Sequence, residues 1–567
     1  MAIIKHKVRV GLYTTGLKAY WPQFAGMRER LEGYGRFIEG ELVAMGKVEV
    51  FNFGLVDCSD SGIKAGEYFQ RNLCDIVFQH IGTYVTSDAV LPVHQTCKAP
   101  TVILNLQPAV QVNYAKTTTG EWLAHCNACP APEIANAFNR ADIPFRVVSG
   151  LLGLRETPEI SMADETTASR PEAVRAWREI REWVAAASVK AALNRARFGF
   201  LGNNYSGMLD MYSDLTMLAA QSGIHVEILE MCDLASRLSV VTDADVTRKL
   251  DEIKSMFEIS EDSPSDPLAS RPTPEQLDWS ARVAAAQERL VADFSLDALA
   301  YYYHGADGND YERLQSGFIA GHSLLTAHGI PCAGEGDIKT ALAMKVCDLL
   351  GLGGSFCEIV TTDYIRGTIL MGHDGPFHLA IAKGRPILRG LGLYHGKRGS
   401  GVSVEAKVKD GPVTTLGVAQ AGDGRLKFIV SEAEATDDPI MAIGNTQTHV
   451  RLATDPDTWY EHWLMEAPTH HFAMSVGHNA GLFRKVADLF GIPFVKIAAF
   501  VVAAIAILPI CAEEYFVSSA DNDSLTFVNA DVCSCSDFKA VDAKRLGKPC
   551  FVNQIFPEPS VMQPKKP

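Results

Sequence analysis

Positive charge is scarce in this chain: 52 Lys and Arg face 67 Asp and Glu across 567 residues, a net charge of −15. Binding a polyanion needs clustered cations, so the balance counts against nucleic acid as a partner. It fits an enzyme acting on a neutral or cationic small molecule. No apolar run reaches the ~20 residues of a spanning helix. The longest, Ile497 to Ala512, contains Pro509, and no membrane partner is expected. The opening residues pass straight into Val8-Arg9-Val10-Gly11-Leu12, a strand pattern rather than a secretory apolar core. The 13 cysteines, odd in number and scattered, form no disulfide framework. These absences predict a cytoplasmic protein in a reducing compartment.

Several motifs are missing too. The glycine cluster Gly351-Leu-Gly-Gly354 lacks Gly-x-Gly-x-x-Gly spacing and reads as a helix end, with Gly351 just past the last turn. There is no Gly-x-Ser-x-Gly nucleophile turn. Cys126-Asn-Ala-Cys129 has no second pair at zinc-site spacing, and no internal repeat is visible.

What remains is an ordinary globular composition, 47% hydrophobic and 21% charged, too long for one core. Strand patterns at Val8–Tyr13, Val48–Phe53, Asp75–Gln79 and Thr101–Asn105 alternate with helical ones, the signature of an open parallel sheet. The proline-bearing stretch Arg155–Pro171 leads through a helix, Glu172 to Ala196, into a second α/β unit opening at Arg197–Gly202. There, Glu258–Pro274, with four prolines, reads as a loop, and Leu299–His304 as a strand. From about Gly353, short strands separated by Gly and Pro turns predict an antiparallel, barrel-like or sandwich-like region. The fold class is therefore α/β. Two Rossmann-like domains, 1–170 and 171–345, precede a β-rich domain at 346–497 and a tail at 498–567.

Eight of the 16 histidines lie between His373 and His478, so a metal site is worth seeking there. Gly334-Glu335-Gly336-Asp337 sets two carboxylates before the helix Ile338–Leu350. Asp337 suits the N-cap, and Glu335 is left on a loop where glycines permit close approach to a ligand. Glu358 follows Ser355-Phe-Cys, surroundings in which an unpaired charge is costly. His373 ends an apolar strand, and His470-His471 supplies an imidazole pair. Two carboxylates with two imidazoles suit Mn²⁺, Fe²⁺ or Co²⁺ better than Ca²⁺. Lys339, in a first helical turn, reads as solvated, and His378 as lying on the opposite strand face from His373.

These residues carry a resemblance. Gly334-Glu335-Gly336-Asp337-x-Lys339-Thr340-Ala341, Gly-Gly-Ser-Phe-x-Glu358, Gly-His373 before Pro386-Ile-Leu, and His470-His471 occur in the order found in the L-arabinose and L-fucose isomerase superfamily. The chain is closest to the arabinose branch. Weaker matches at Ala196–Gly199, Asn204, Asp214, Ile143–Val148 and Gly477–Ile497 extend the likeness over residues 8 to 497.

The resemblance implies a fucose isomerase-like fold. It also implies aldose–ketose interconversion of a free pentose or (6-deoxy)hexose, with an enediolate stabilised by a divalent ion. Mn²⁺ is the usual ion, with Co²⁺, Fe²⁺ or Mg²⁺ as substitutes. Glu335, Glu358, His373 and His471 are the implied ligands, with His471 preferred over His470. Glu335 and Glu358 are the implied catalytic pair, the C2 base unassigned between them. His125 is an implied substrate contact, and a trimeric or hexameric homo-oligomer is implied. The family's Gly-Gly-Arg-Glu run near His125 is absent, Tyr205 replaces a family Met, and Tyr303–Arg313 differs, which leaves the particular sugar open.

Two other functions compete with this reading. Two α/β domains also describe a non-catalytic sugar-binding or sensor protein, and an inactive structural paralogue would share the motifs. Residues 498–567 match nothing in the family. They hold the apolar run and Cys511, Cys533, Cys535 and Cys550, as an appended segment, a fused fragment or the product of a frame error would.

Overall fold

A computed structural model describes residues 3–156, 166–261, 266–305, 308–391 and 400–497, with the backbone of Glu514–Ser518 and Leu525–Asn529. The chain divides into two compact units, Met1–Phe500 and Val501–Pro567. In the second, Glu514–Ser518 and Leu525–Asn529 pair antiparallel. The expectations for the rest of the tail, including the apolar run beyond Ile497, lie outside the described residues. Among the described residues no helix is long and apolar enough to cross a membrane.

The first unit begins with five parallel strands in the spatial order Val48–Val56, Val8–Thr15, Ile76–His80, Thr101–Gln107, Phe145–Leu151. Val8, Val10 and Leu12 turn one face of the sheet into the core, while Tyr13 and Val77 pack into the other. A sheet buried on both faces needs near-continuous apolar strands, which these are. The helix Pro171–Leu193, which ends three residues before its sequence pattern does, leads to a second parallel sheet. Its order is Cys332–Ala333, Ala298–Tyr302, Arg197–Gly202, His225–Leu229. The aromatic strand stops at Tyr302, so His304 lies outside it.

The third sheet closes on itself. Gly411–Gln420, His471–Val476, Gly353–Asp363, Thr368–His373, Thr446–Arg451 and Leu426–Ala435 pair antiparallel in a ring, and Phe494–Lys496 adds parallel to the last of these. Closure removes the exposed edges an open sheet of this size would carry. The expected loop Glu258–Pro274 is only partly a loop: Glu258–Ile259 and Ala269–Ser270 both pair with the strand Ile387–Leu391. Each of these strands is only two residues long, too short for a pattern search to find.

Ile338–Leu349 packs against both the second sheet and the barrel, and all twelve of its residues are buried. This overturns the solvated reading of Lys339. A helix covered on every side has no solvent face, and Lys339 is 1% exposed, its Nζ donating to the Met211 carbonyl (3.1 Å) and to Ser213 Oγ (2.8 Å). His378 is corrected as well. The strand ends at His373, so alternation no longer applies, and His378 is buried ahead of the short turn Leu379–Ile381.

Candidate metal centre

Glu335 sits in a single tight turn, Gly334–Gly336, between the edge strand Cys332–Ala333 and the buried helix. Its φ of 59° is left-handed, a conformation that costs a side-chain-bearing residue energy unless its surroundings enforce it. They do so here. The Tyr205 N–H donates to the Glu335 carbonyl (2.9 Å) and Asn204 Nδ2 to the Gly336 carbonyl (2.7 Å). A Cβ on Gly336 would run into the Asn203 carbonyl. The loop leaving the strand Arg197–Gly202 thus holds the turn that presents Glu335.

The barrel supplies the other groups. On Gly353–Asp363, Glu358 is in register with His471 on one neighbouring strand and with Gly372, next to His373, on the other. The ligand atoms of Glu358, His373 and His471 lie within 4.8 Å of one another, as do those of Glu335, His470 and His471. His373 Nε2 is 3.9 Å from Glu335 Oε1 and 4.0 Å from Glu358 Oε1. His471 Nε2 is 3.6 Å from Glu335 Oε2. Both of these last two atoms are buried without a hydrogen-bond partner. Buried polar atoms are rarely left this way, and a cation between two such lone-pair donors would satisfy both. The four residues therefore fit a divalent ion.

The outer partners support the same fit. His471 Nδ1 lies 3.1 Å from Asp337 Oδ2 and His373 Nδ1 2.8 Å from Asp374 Oδ1, so each ring turns its Nε2 inward. Burial lowers the His471 imidazole, with Asp337 opposing, which favours the neutral form that metals bind. Burial works against charge on His373, but Asp374, Glu358 and Glu335 outweigh it and raise its pKa. Burial raises the Glu335 carboxyl, and His470, His373 and His471 more than reverse that. His470 is pushed up to about 9, Glu335 and Asp210 overcoming its burial.

No family model matches the chain. Curated relatives do. An L-arabinose isomerase of Nocardioides sp. is 27% identical over 348 residues, 60% of this chain and 67% of that protein. The L-arabinose isomerases of Clavibacter sepedonicus and Serratia proteamaculans are each 23% identical, over 55% and 57% of this chain and 61% and 64% of theirs. The chain is arabinose isomerase-like. Its matches span about three-fifths to two-thirds of those relatives' length. Among solved structures, an ABC-type branched-chain amino acid transporter from Rhodopseudomonas palustris gives a TM-score of 0.13 at 12% identity, covering 79% of this chain and 96% of that one. That score is too low to place the fold.

In this arabinose isomerase-like chain the centre opens on a cavity of about 230 Å³. That is below the ~300–1,000 Å³ of drug-sized sites and suits a small molecule. Met208, Val360, Met441 and Ile443 form its apolar walls, and Asn445, Gln447 and His470 offer polar groups. Glu358 faces this space with a side chain 38% exposed, rather than sitting enclosed among apolar neighbours. His125 lies elsewhere, capping the helix Thr119–Ala124 with Nδ1 2.7 Å from the Glu121 carbonyl, and does not line the cavity. Burial lowers its pKa.

The sequence reading passed over Asp374 and Asp210. Asp374 had a signal, its place beside His373 between two glycines. Asp210, which accepts from the His470 backbone N–H (3.0 Å) and ring Nδ1 (2.6 Å), lies 260 positions away and had none.

Proposed function

We propose that this protein is an aldose–ketose isomerase acting on a free pentose or (6-deoxy)hexose through an enediolate. It depends on a divalent ion, Mn²⁺ before Co²⁺, Fe²⁺ or Mg²⁺, held by Glu335, Glu358, His373 and His471. The observation that carries this reading is that Glu335, Glu358 and His373 line one cavity with His471 packed against them, Glu335 Oε2 and His471 Nε2 being unpartnered. The likeness to L-arabinose isomerases supports the reaction class.

When bound, the ion supplies Lewis-acid stabilisation of the negative charge that develops on adjacent sugar oxygens. The chain's own groups move the protons. One of Glu335 and Glu358 takes the proton from C2 and returns it to C1, while the other helps pass the hydroxyl proton from O2 to O1. Nothing is gained or lost overall. The walls of Met208, Val360, Met441 and Ile443 keep bulk water from the exposed carbanionic carbon.

A homo-oligomer, trimeric or hexameric, completes the proposal. In it the N-terminal domain of one copy closes over the metal domain of another, which gives His125 a substrate contact that its own chain's cavity does not. The fucose isomerase-like division at 170, 345 and 497 and a cytoplasmic location belong to the same reading.

The test is a screen of the purified protein with Mn²⁺ against pentoses, hexoses and 6-deoxyhexoses. Ketose forms from at least one sugar, is lost on chelation and returns with Mn²⁺. A panel yielding no ketose overturns the reading.

A further inference from the structure

The segment 441–447 supplies one side of the cavity, and three anchors fix it. The Gln447 carboxamide closes the segment on itself. Its Oε1 accepts from the Met441 N–H (3.0 Å), and its Nε2 donates to the carbonyls of Met441 (2.9 Å) and Asn445 (3.4 Å). The Gly444 N–H is held by buried Glu405 (3.1 Å). Thr446 sits opposite His373 in the strand register, where its Oγ1 accepts from the His373 N–H and donates to the His373 carbonyl, both at 2.9 Å. Asn445 is thus pinned on either side, one position from the strand partner of a metal-binding histidine.

The same anchors consume the polar groups around it. Gln447 spends its amide on the segment and Thr446 its hydroxyl on His373, while His470 pairs with Asp210 and Asp374 with His373. Outside the metal-binding set, the half-buried Asn445 is the polar lining residue whose side chain has no hydrogen-bond partner among the described residues. A carboxamide both donates and accepts, as a hydroxyl does. Met441 and Ile443, at alternate positions of the same segment, add apolar surface beside it. With two adjacent sugar oxygens at the metal-binding groups, the rest of a five- or six-carbon chain has these walls to lie along.

We propose that Asn445 is a specificity-determining residue whose carboxamide reads one hydroxyl of a polyol beyond C2, so that sugars lacking that hydroxyl are rejected. The inference deepens the isomerase reading and rests on it for placing C1 and C2 at the metal-binding groups; the hydroxyl contact is tested by binding, apart from turnover.

The probes are pentitols, which carry the hydroxyls but have no carbonyl to isomerise. Ribitol, xylitol, arabinitol and their monodeoxy analogues are titrated calorimetrically into the full-length protein with Mn²⁺. Asn445→Ala weakens at least one parent pentitol about tenfold. One monodeoxy analogue loses about tenfold against that parent in the wild type and nothing in Asn445→Ala, because the two deletions remove the same contact. Asn445→Leu, which fills the space without the amide, gives the same pattern, and both variants unfold at the wild-type temperature. Losses that add, or an equal weakening of every polyol by Asn445→Ala, overturn the proposal, as does a wild type that binds no pentitol. A protein that shows the shared loss yet forms no ketose from any sugar keeps the Asn445 contact and loses the isomerase reading.

Discussion

Two positions separate Glu335 from Asp337, and the backbone turn between them sends the carboxylates to different tasks. Glu335 faces the cavity from a left-handed turn, whereas Asp337 is fully buried and accepts from the N–H groups of Lys339 and Thr340, the Thr340 hydroxyl and His471 Nδ1. These contacts hold its carboxyl at about 2 against the burial that would raise it. Asp337→Ala therefore removes a cap and strands a buried imidazole. The expected loss is about 2–4 kcal/mol in denaturant unfolding. Asp337→Asn keeps an oxygen for the cap, so it loses less stability while weakening Mn²⁺ binding by about 10–100-fold. A titration in which Asn binds Mn²⁺ as wild type does would confine Asp337 to capping.

For the cavity carboxylates, Glu335→Gln and Glu358→Gln each lower turnover by about 10²–10⁴-fold with unchanged thermal unfolding of the metal-free protein. Retained activity would remove that residue from the chemistry. The Gly-Glu-Gly-Asp run made both carboxylates legible because glycines and a helix start leave local marks. The second role of Asp337 left none, since its partner lies 134 positions on.

Among elements, the strand pair Ile387–Leu391 and Val402–Glu405 carries the wall of the cavity. Arg389 Nε and Nη2 pair with the Glu405 carboxylate at 2.7 and 3.2 Å, both side chains buried. Glu405 Oε2 also accepts from the Gly444 N–H (3.1 Å), beside the lining residues Ile443 and Asn445. Arg389→Met leaves that carboxylate buried without its counter-ion, at a cost of about 3–5 kcal/mol. Adding Glu405→Leu recovers most of the stability but leaves the Gly444 N–H without its acceptor. The sugar KM accordingly stays raised in the double variant. Recovery of both together would separate the ion pair from the wall. The antiparallel character of the region beyond Gly353 was readable from its turns, but a two-residue strand such as Ala269–Ser270 holds too few positions for any period to show.

For the molecule as a whole, buried neutral histidines act on the acid side of its stability. Burial holds His80, His94 and His322 at about 3. Between there and the ordinary 6.5, the unfolded chain binds a proton at each that the native chain refuses, so stability falls as pH drops. Each contributes a slope of up to about 1.4 kcal/mol per pH unit. His470 and His373, raised by their carboxylates, act with the opposite sign but above pH 6.5, where only the native chain is protonated. Asp337, lowered, acts below its ordinary 3.8. The window from pH 6.5 to 4.5 in metal-free protein thus isolates the buried imidazoles. The unfolding midpoint falls across it, and His322→Phe, replacing a ring packed between Tyr301 and Phe318, flattens the fall. A midpoint that is level over that range would contradict the burial of neutral histidine.

By itself the sequence determined what local rules can carry: the two parallel sheets from apolar strand patterns, the cap at Asp337 and the turn that leaves Glu335 outside the helix. Each depends on neighbours within a few positions, through backbone conformation or side-chain period. Only the tertiary structure decided that Lys339 is buried, that Asp210 holds His470, and that His373 and His471 flank Glu358 on adjoining strands. Those facts depend on sheet closure and on a helix covered from every side, which join residues distant in the chain and leave no period in it.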